Sequence, residues 1–166
     1  MIISFMISQN NNIPNIKKSI EWLCENFGSK HEDYFAFPTL QQLKAATEQD
    51  YKNARLGYRA KYIYEAVQFL NDDMIEDLKQ KTKEEQFNFL VSLKGIGEKV
   101  ANCILLFGLQ RKDVFPVDTW INKVYNELTS TAETNRKKIT IELTNRYKNL
   151  SGYAQQYFFY YFRENR

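Results

Sequence analysis

A glycine turn between two apolar segments, Leu93-Lys94-Gly95-Ile96-Gly97, constrains the fold more than any other feature of the sequence. The apolar residues before the turn have the spacing of one helix face: Phe87, Leu90, Val91 and Leu93. The segment after the turn is strongly apolar up to Gly108, where a helix end is expected. Because glycine permits φ > 0 and close backbone approach, the turn can direct its N–H groups and the second helix's N-terminus at one anion. The sequence therefore predicts a helical hairpin at about 84–108 that grips a phosphate.

The rest of the chain also has helical patterns, without a sustained period-two strand or an internal repeat. Asp50 is expected to be the N-cap of a short helix before Leu56. We expect an all-α protein, with further helices in these segments: 2–6, 13–27, 40–46, 60–70, 74–80, 118 onward, 137–150 and 153–163.

Composition limits the classes of protein that this chain can be. A hydrophobic content of 43% with 26% charged residues is typical of a folded globular chain, and no apolar run approaches the ~20 residues of a membrane span. The formal net charge of +3 is too small to indicate nucleic-acid binding by itself. Cys24 and Cys103 lie far apart in the sequence, which argues against a disulfide framework or a multi-cysteine metal site and fits a reducing cytosol. His31, in a polar loop, is interpreted as a solvated residue.

Two charged residues follow the turn. Lys99 lies two positions after Gly97, and Asp118 ends the sequence Pro116-Val117-Asp118. Taken singly, Lys99 is more typical of a solvated helix lysine, and Asp118 of an N-cap, since Pro-x-Asp-Thr is a good cap signal. The combination of turn, lysine and Pro-Val-Asp resembles that of the helix-hairpin-helix DNA glycosylases, in which the lysine and the aspartate form the catalytic pair. An N-cap role of Asp118 is compatible with such a role.

With these motifs the sequence resembles the helix-hairpin-helix DNA glycosylases of base excision repair. Three more segments resemble the 8-oxoguanine DNA glycosylase/AP lyase family in the same order: Ser8–Ile13, Leu56–Tyr62 and Gly152–Gln155. The resemblance implies the helix-hairpin-helix DNA glycosylase fold, with two helical lobes flanking a DNA-binding cleft. Family members carry a β-rich domain ahead of the triple asparagine, so residues 1–166 are expected to be the helical catalytic region, with that N-terminal domain absent.

The same resemblance implies a bifunctional enzyme that excises 8-oxoguanine from duplex DNA. Lys99 would attack the sugar anomeric carbon, release the base and form a Schiff base, after which β-elimination nicks the strand. Asp118 would stabilise the positive charge that develops on the sugar and position Lys99. A nucleophilic lysine must lose its proton, and the first turn of an apolar helix disfavours an ammonium.

The family's recognition residues can be carried over by position. Asn10 would fill the space left by the extruded base, Tyr58 would wedge the adjacent stack, and Arg59 would hydrogen-bond the opposite cytosine. Gly95, Gly97 and the N–H of Val100 would hold a DNA phosphate. The extruded base would lie between Cys103 and Phe159, with Gln155 hydrogen-bonding its edge. The sequence departs from the family pattern at Asn15, where a second cytosine-reading arginine is common, at Trp120, where some members have histidine, and at Lys94, which replaces the hairpin's usual proline.

No cofactor and no catalytic metal are expected. The carbonyls of Val91, Leu93 and Ile96 are implied ligands of a structural monovalent cation at the hairpin. An iron–sulfur cluster of the related endonuclease III type needs four cysteines, which this sequence lacks. The expected partner is double-stranded DNA with a damaged base, bound by a monomer that has no membrane partner. The expected location is the cytoplasm, on the nucleoid if the organism is bacterial.

Three alternatives remain at this point. The chain can be a glycosylase of the same superfamily for another damaged base, or a DNA-binding module without catalytic activity. A purely structural helical domain is disfavoured, because it explains neither the paired motif nor the order of the matching segments.

Overall fold

A computed structural model describes residues 1–164 of the chain, except for the side chain of Arg163. Within that range the prediction of an all-helical chain is confirmed, because the β-pairing consists of one isolated bridge between Lys30 and Phe35. The chain divides into two compact units, Met1–Ile96 and Gly97–Arg166. None of the helices in the described part is long and apolar enough to cross a membrane.

The first unit is built around α5, which packs against α1, α3 and α4. Its core contains the fully buried side chains of Ile7, Leu23, Tyr51 and Ile63. The Tyr51 hydroxyl donates a hydrogen bond of 2.7 Å to the carbonyl of Leu43, so the polar end of this buried ring has a partner. The helices are α1 Ile2–Ser8, α2 Ile13–Phe27, α3 Leu40–Ala45, α4 Glu48–Asn53, α5 Arg59–Phe69, α6 Asp72–Gln80 and α7 Lys83–Ser92.

Threonine residues start three of these helices with reciprocal capping boxes: Thr39 with Gln42, Thr47 with Asp50, and Thr82 with Glu85. In each box the threonine oxygen accepts the N–H three residues later, and the side chain there accepts the threonine N–H. The prediction that Asp50 is the N-cap of α4 is wrong. Thr47 caps the helix and Asp50 completes the box, because a carboxylate three residues after a threonine serves as its partner.

The second unit packs α11 against α9 and α10. Its buried cluster consists of Phe115, Val117, Ile121, Tyr125, Ile139 and Leu143. Gly152 allows α11 to approach the loop after α8, since its N–H donates to the Lys112 carbonyl at 2.8 Å and a Cβ would collide with Leu106. The elements are α8 Glu98–Gly108, α9 Thr119–Thr129, α10 Arg136–Tyr147, a 3₁₀ turn Lys148–Leu150, and α11 Ser151–Glu164.

The aromatic residues of α11 divide between core and solvent. Phe158 and Phe159 are partly buried against the cluster of the second unit. Four tyrosines are largely exposed: Tyr153, Tyr157, Tyr160 and Tyr161.

Candidate active site and nucleic-acid interface

The two predicted catalytic residues occupy the N-terminal ends of consecutive helices in the second unit. Lys99 is the second residue of α8, and Asp118 is the N-cap of α9. The Asp118 carboxylate accepts the backbone N–H of Ile121 at 2.8 Å, so the cap interpretation is confirmed. Lys99 and Asp118 are both half-buried.

The buried thiol of Cys103 lies near both Lys99 and Asp118. Cys103 follows Lys99 by one helical turn and is 6% exposed. Burial raises the pKa of its thiol, and the Lys99 ammonium opposes this rise as a nearby charge and as a hydrogen-bond donor. The Asp118 carboxylate adds to the increase in that pKa. Lys99 and Asp118 therefore both lie near the thiol of Cys103.

The segment before Asp118 explains how the carboxylate is fixed. Val114, Phe115 and Val117 are almost completely buried, and Phe115 packs within 6.1 Å, centroid to centroid, of both Tyr147 and Phe158. These anchors hold the connection between α8 and α9 against α10 and α11. The carboxylate is thus positioned by a packed apolar segment as well as by its own cap bond.

The predicted base-pocket residues lie on α8 and α11. Gln155 is 6% exposed, and its side-chain oxygen accepts a hydrogen bond of 2.5 Å from the amide of Gln156. Phe159 packs against the cluster that includes Val117, which precedes Asp118, and Ile121, whose backbone N–H donates to the Asp118 carboxylate. A separate apolar cavity of about 270 Å³ lies between α9, α10 and α11. Neither Lys99 nor Asp118 lines that cavity, which is bordered by Ile121, Val124, Tyr125, Leu128, Thr129, Leu143, Arg146, Tyr147 and Phe158.

The hairpin turn has the backbone geometry that the glycines predicted. The Ile96 N–H donates to the Leu93 carbonyl at 3.0 Å, and Gly95 has a φ of 89°, which favours glycine. Gly97 is the N-cap of α8, and the space where a Cβ would lie is open. Val100 is the third residue of α8, so its N–H is among the groups without an acceptor inside the helix.

In the first unit, three of the predicted DNA-contacting residues lie together: Asn10, Tyr58 and Arg59. The Arg59 guanidinium donates to the carbonyls of Gln9 at 2.6 Å and Asn10 at 2.7 Å, and lies 4.6 Å from the Tyr58 ring centroid. Asn10 is exposed with a φ of 44°, and Tyr58 is 58% exposed. Arg59 therefore shapes the loop that carries Asn10, a contact that the sequence did not predict.

The contacts that Lys94 makes beside the turn were not predicted from the sequence. Lys94 pairs with Glu65 at 3.4 Å and lies over the ring of Tyr62, 5.6 Å from its centroid. The position of Tyr62, one turn after Tyr58 on α5, was a usable signal, because residues four apart share a helix face.

His31 lies in an exposed loop, stacked on Tyr34 at 4.8 Å between centroids.

Comparison with known proteins places this site in a familiar context. Residues 3–149 match a family model described as HhH-GPD superfamily base excision DNA repair protein. A Saccharomyces cerevisiae N-glycosylase/DNA lyase is 36% identical over 141 residues, which cover 74% of this chain and 38% of the relative. A probable N-glycosylase/DNA lyase of Methanothermobacter thermautotrophicus is 27% identical, with coverage of 99% and 60%.

A solved structure is similar over the same helices. It is the Clostridium acetobutylicum 8-oxoguanine glycosylase/lyase in complex with double-stranded DNA containing cytosine opposite 8-oxoguanine. The similarity has a TM-score of 0.92 at 40% identity and covers 99% of this chain and 59% of that one. The chain thus spans between about two fifths and three fifths of the length of these relatives.

Proposed function

The chain belongs to the HhH-GPD superfamily of base excision DNA repair proteins, and we propose that it is a bifunctional DNA glycosylase/AP lyase that removes 8-oxoguanine from duplex DNA. The observation that carries this proposal is the placement of Lys99 at the start of α8 and of Asp118 at the start of α9, both near the buried thiol of Cys103. The similarity to an 8-oxoguanine glycosylase/lyase favours this lesion.

The proposed reaction uses the amine of Lys99 as nucleophile. Its nitrogen bonds to the anomeric carbon, the bond from that carbon to the base breaks, and the base leaves with the electron pair and takes up a proton. Ring opening gives a Schiff base, from which β-elimination breaks the 3′ C–O bond of the sugar. The Asp118 carboxylate, fixed by its bond to the Ile121 N–H, stabilises the cationic sugar.

We propose that recognition uses both ends of the hairpin region and the loop at Asn10. The N–H groups of Gly95, Gly97 and Val100 hold a backbone phosphate, since the start of α8 attracts an anion. The exposed ring of Tyr58 wedges the stack, and Asn10 and Arg59 face the opposite base. Cys103 and Phe159 enclose the extruded base, and the amide of Gln155 reads its edge.

Two further proposals follow from family membership. The carbonyls of Val91, Leu93 and Ile96 ligate a monovalent cation beside the bound phosphate. The Leu93 carbonyl accepts the Ile96 N–H and keeps a second lone pair for such an ion. We also propose that the protein works in the cytoplasm as a monomer, on nucleoid DNA if the organism is bacterial.

Borohydride trapping tests the proposed reaction. We expect the chain to form a covalent adduct with a duplex that carries one 8-oxoguanine opposite cytosine, because borohydride reduces the Schiff base. Lys99→Gln should form no adduct, while Lys123→Gln, an exposed lysine of α9, should react like the wild type. Asp118→Asn keeps a cap residue and should slow base release about a hundredfold.

The outcome decides among the candidate functions. An adduct with Lys99→Gln would disprove the catalytic assignment. Faster release from duplexes with another damaged base would identify a different glycosylase of this superfamily. Duplex binding by the wild type with neither base release nor trapping would leave a DNA-binding module.

A further inference from the structure

Lys94 forms an ion pair unlike most others in the first unit. Its ammonium lies 3.4 Å from a carboxylate oxygen of Glu65, although the two residues are 29 positions apart. The pairs Lys52–Glu48 and Lys79–Glu76 join residues three or four apart on one helix, which is the usual local arrangement. The position of the Lys94 ammonium therefore depends on the tertiary structure and not on one helix. Its side chain is 62% exposed.

Tyr62 fixes this position relative to the hairpin turn. The Lys94 ammonium lies over its ring, and a Cβ on Gly95 would stand 2.9 Å from the same ring, so the backbone of the turn rests on Tyr62. The ring also contacts Tyr58 edge-on, at 6.4 Å between centroids. One surface thus runs from the exposed Tyr58 to the Lys94 ammonium beside Gly95.

Glu65 holds this ammonium only loosely. Its second carboxylate oxygen lies 4.0 Å from the ammonium of Lys61, so one carboxylate is shared by two lysines. The side chain of Glu65 is 38% exposed, and both lysine side chains are 62% exposed. Exposed ion pairs of this kind are weak and are readily exchanged for a stronger anion. DNA supplies such an anion, because its phosphates are closely spaced along the strand.

We propose that Lys94 contacts a backbone phosphate of DNA next to the hairpin, and that Glu65 holds its ammonium in place until that phosphate replaces the carboxylate. This inference rests on the proposed function in one respect, which is that the chain binds duplex DNA. The contact of Lys94 with a backbone phosphate does not depend on the base sequence, so the lesion takes no part in it.

Salt dependence gives the contact a measurable signature. Each phosphate neutralised by a lysine contributes about −0.9 to the slope of log K against log salt on duplex DNA. We expect Lys94→Gln to make that slope shallower by about 0.9. Glu65→Gln should tighten binding about two- to fivefold at low salt, because Lys94 no longer exchanges partners.

The experiment is a double-mutant cycle on an undamaged duplex, with affinity measured by fluorescence anisotropy from about 50 to 200 mM KCl. The gain in affinity from Glu65→Gln should largely disappear when residue 94 is already glutamine, since there is then no Lys94 ammonium to pass from Glu65 to the phosphate. Lys52→Gln, which removes an exposed paired lysine elsewhere on the first unit, is the matched control. It should change the slope by less than Lys94→Gln does.

Two results would overturn the inference. One is an unchanged slope in Lys94→Gln. The other is a gain from Glu65→Gln that persists in full without Lys94, which would mean that Glu65 acts through Lys61 or repels DNA directly. Because the duplex is undamaged, the slopes decide the matter even if the chain excises no base. A wild-type chain without salt-dependent duplex binding would overturn this inference and the proposed function together.

Discussion

At the scale of single residues, the Asp118 carboxylate caps α9 and also has the chemical role that we propose. One oxygen accepts the Ile121 N–H and starts α9, while the charge acts on Cys103 and lies in the same cluster as Lys99. The cap bond keeps the carboxylate at the helix N-terminus, where an anion is stabilised. The carboxylate that we propose to stabilise the cationic sugar is therefore held in place by the helix that it starts.

The titration of Cys103 should reveal this arrangement without DNA. In a Cys24→Ser background that leaves one thiol, Lys99→Gln should raise the pKa of Cys103 further, because a positive charge and a donor are lost. Asp118→Asn should lower that pKa, because a negative charge is lost. The measurement is the pH dependence of iodoacetamide alkylation, with Lys123→Gln as the control. If the alkylation of Cys103 has the same midpoint pH in the Cys24→Ser protein and in all three further variants, Lys99 and Asp118 do not lie near the thiol.

At the scale of helices, α7 depends on the box at its start, because it leads into the hairpin turn. The Thr82 hydroxyl and N–H donate to the Glu85 carboxylate, which lowers the pKa of that carboxyl below its ordinary 4.5. The folded state thus favours the ionised form. The stabilisation is fully present above pH 4.5 and is lost as the pH falls through the lowered folded-state value.

Two substitutions in this box should separate the cap from its charge. Thr82→Ala should reduce the free energy of unfolding at pH 7 by about 1 kcal/mol, because an orphan N–H loses its acceptor. Glu85→Gln keeps a box partner and should flatten the acid limb of stability against pH. Urea unfolding between pH 3 and pH 7, followed by circular dichroism, measures both. Glu84→Gln, at the neighbouring position, is the control. If the free energy of unfolding falls as steeply with acid in Glu85→Gln as in Glu84→Gln, Glu85 is not the group whose lowered pKa stabilises the fold.

The helices also show how far the sequence alone could lead. The periods, glycines and caps predicted the hairpin, and most helix ends agree with the structure to within a few residues. Arg55 and Lys148 have φ values of 60° and 46°, which could not be expected, since such values favour Gly or Asn. The contacts of Arg59 and of Lys94 were missed for another reason. They join residues distant in sequence, and no local period reports such contacts.

At the scale of the whole molecule, the candidate residues fall into two sets. The amine, carboxylate and thiol lie within Gly97–Arg166, whereas Asn10, Tyr58, Arg59 and the Lys94 pair lie within Met1–Ile96. The chemistry and the reading of the opposite base are therefore assigned to different parts of the chain. A substitution in one set should change one function and spare the other.

A comparison of Arg59→Gln with Lys99→Gln on two duplexes tests this division. An abasic-site duplex has no base to extrude, so Arg59→Gln should still form the borohydride adduct there. On 8-oxoguanine duplexes the preference of this variant for cytosine over adenine opposite the lesion should fall about tenfold. The reason is that the variant lacks the guanidinium that hydrogen-bonds base acceptors. Lys99→Gln should form no adduct on either duplex, yet bind both with affinity within about twofold of the wild type. If Arg59→Gln remains folded by circular dichroism and fails to trap on the abasic duplex, the first unit takes part in the chemistry and the division is wrong.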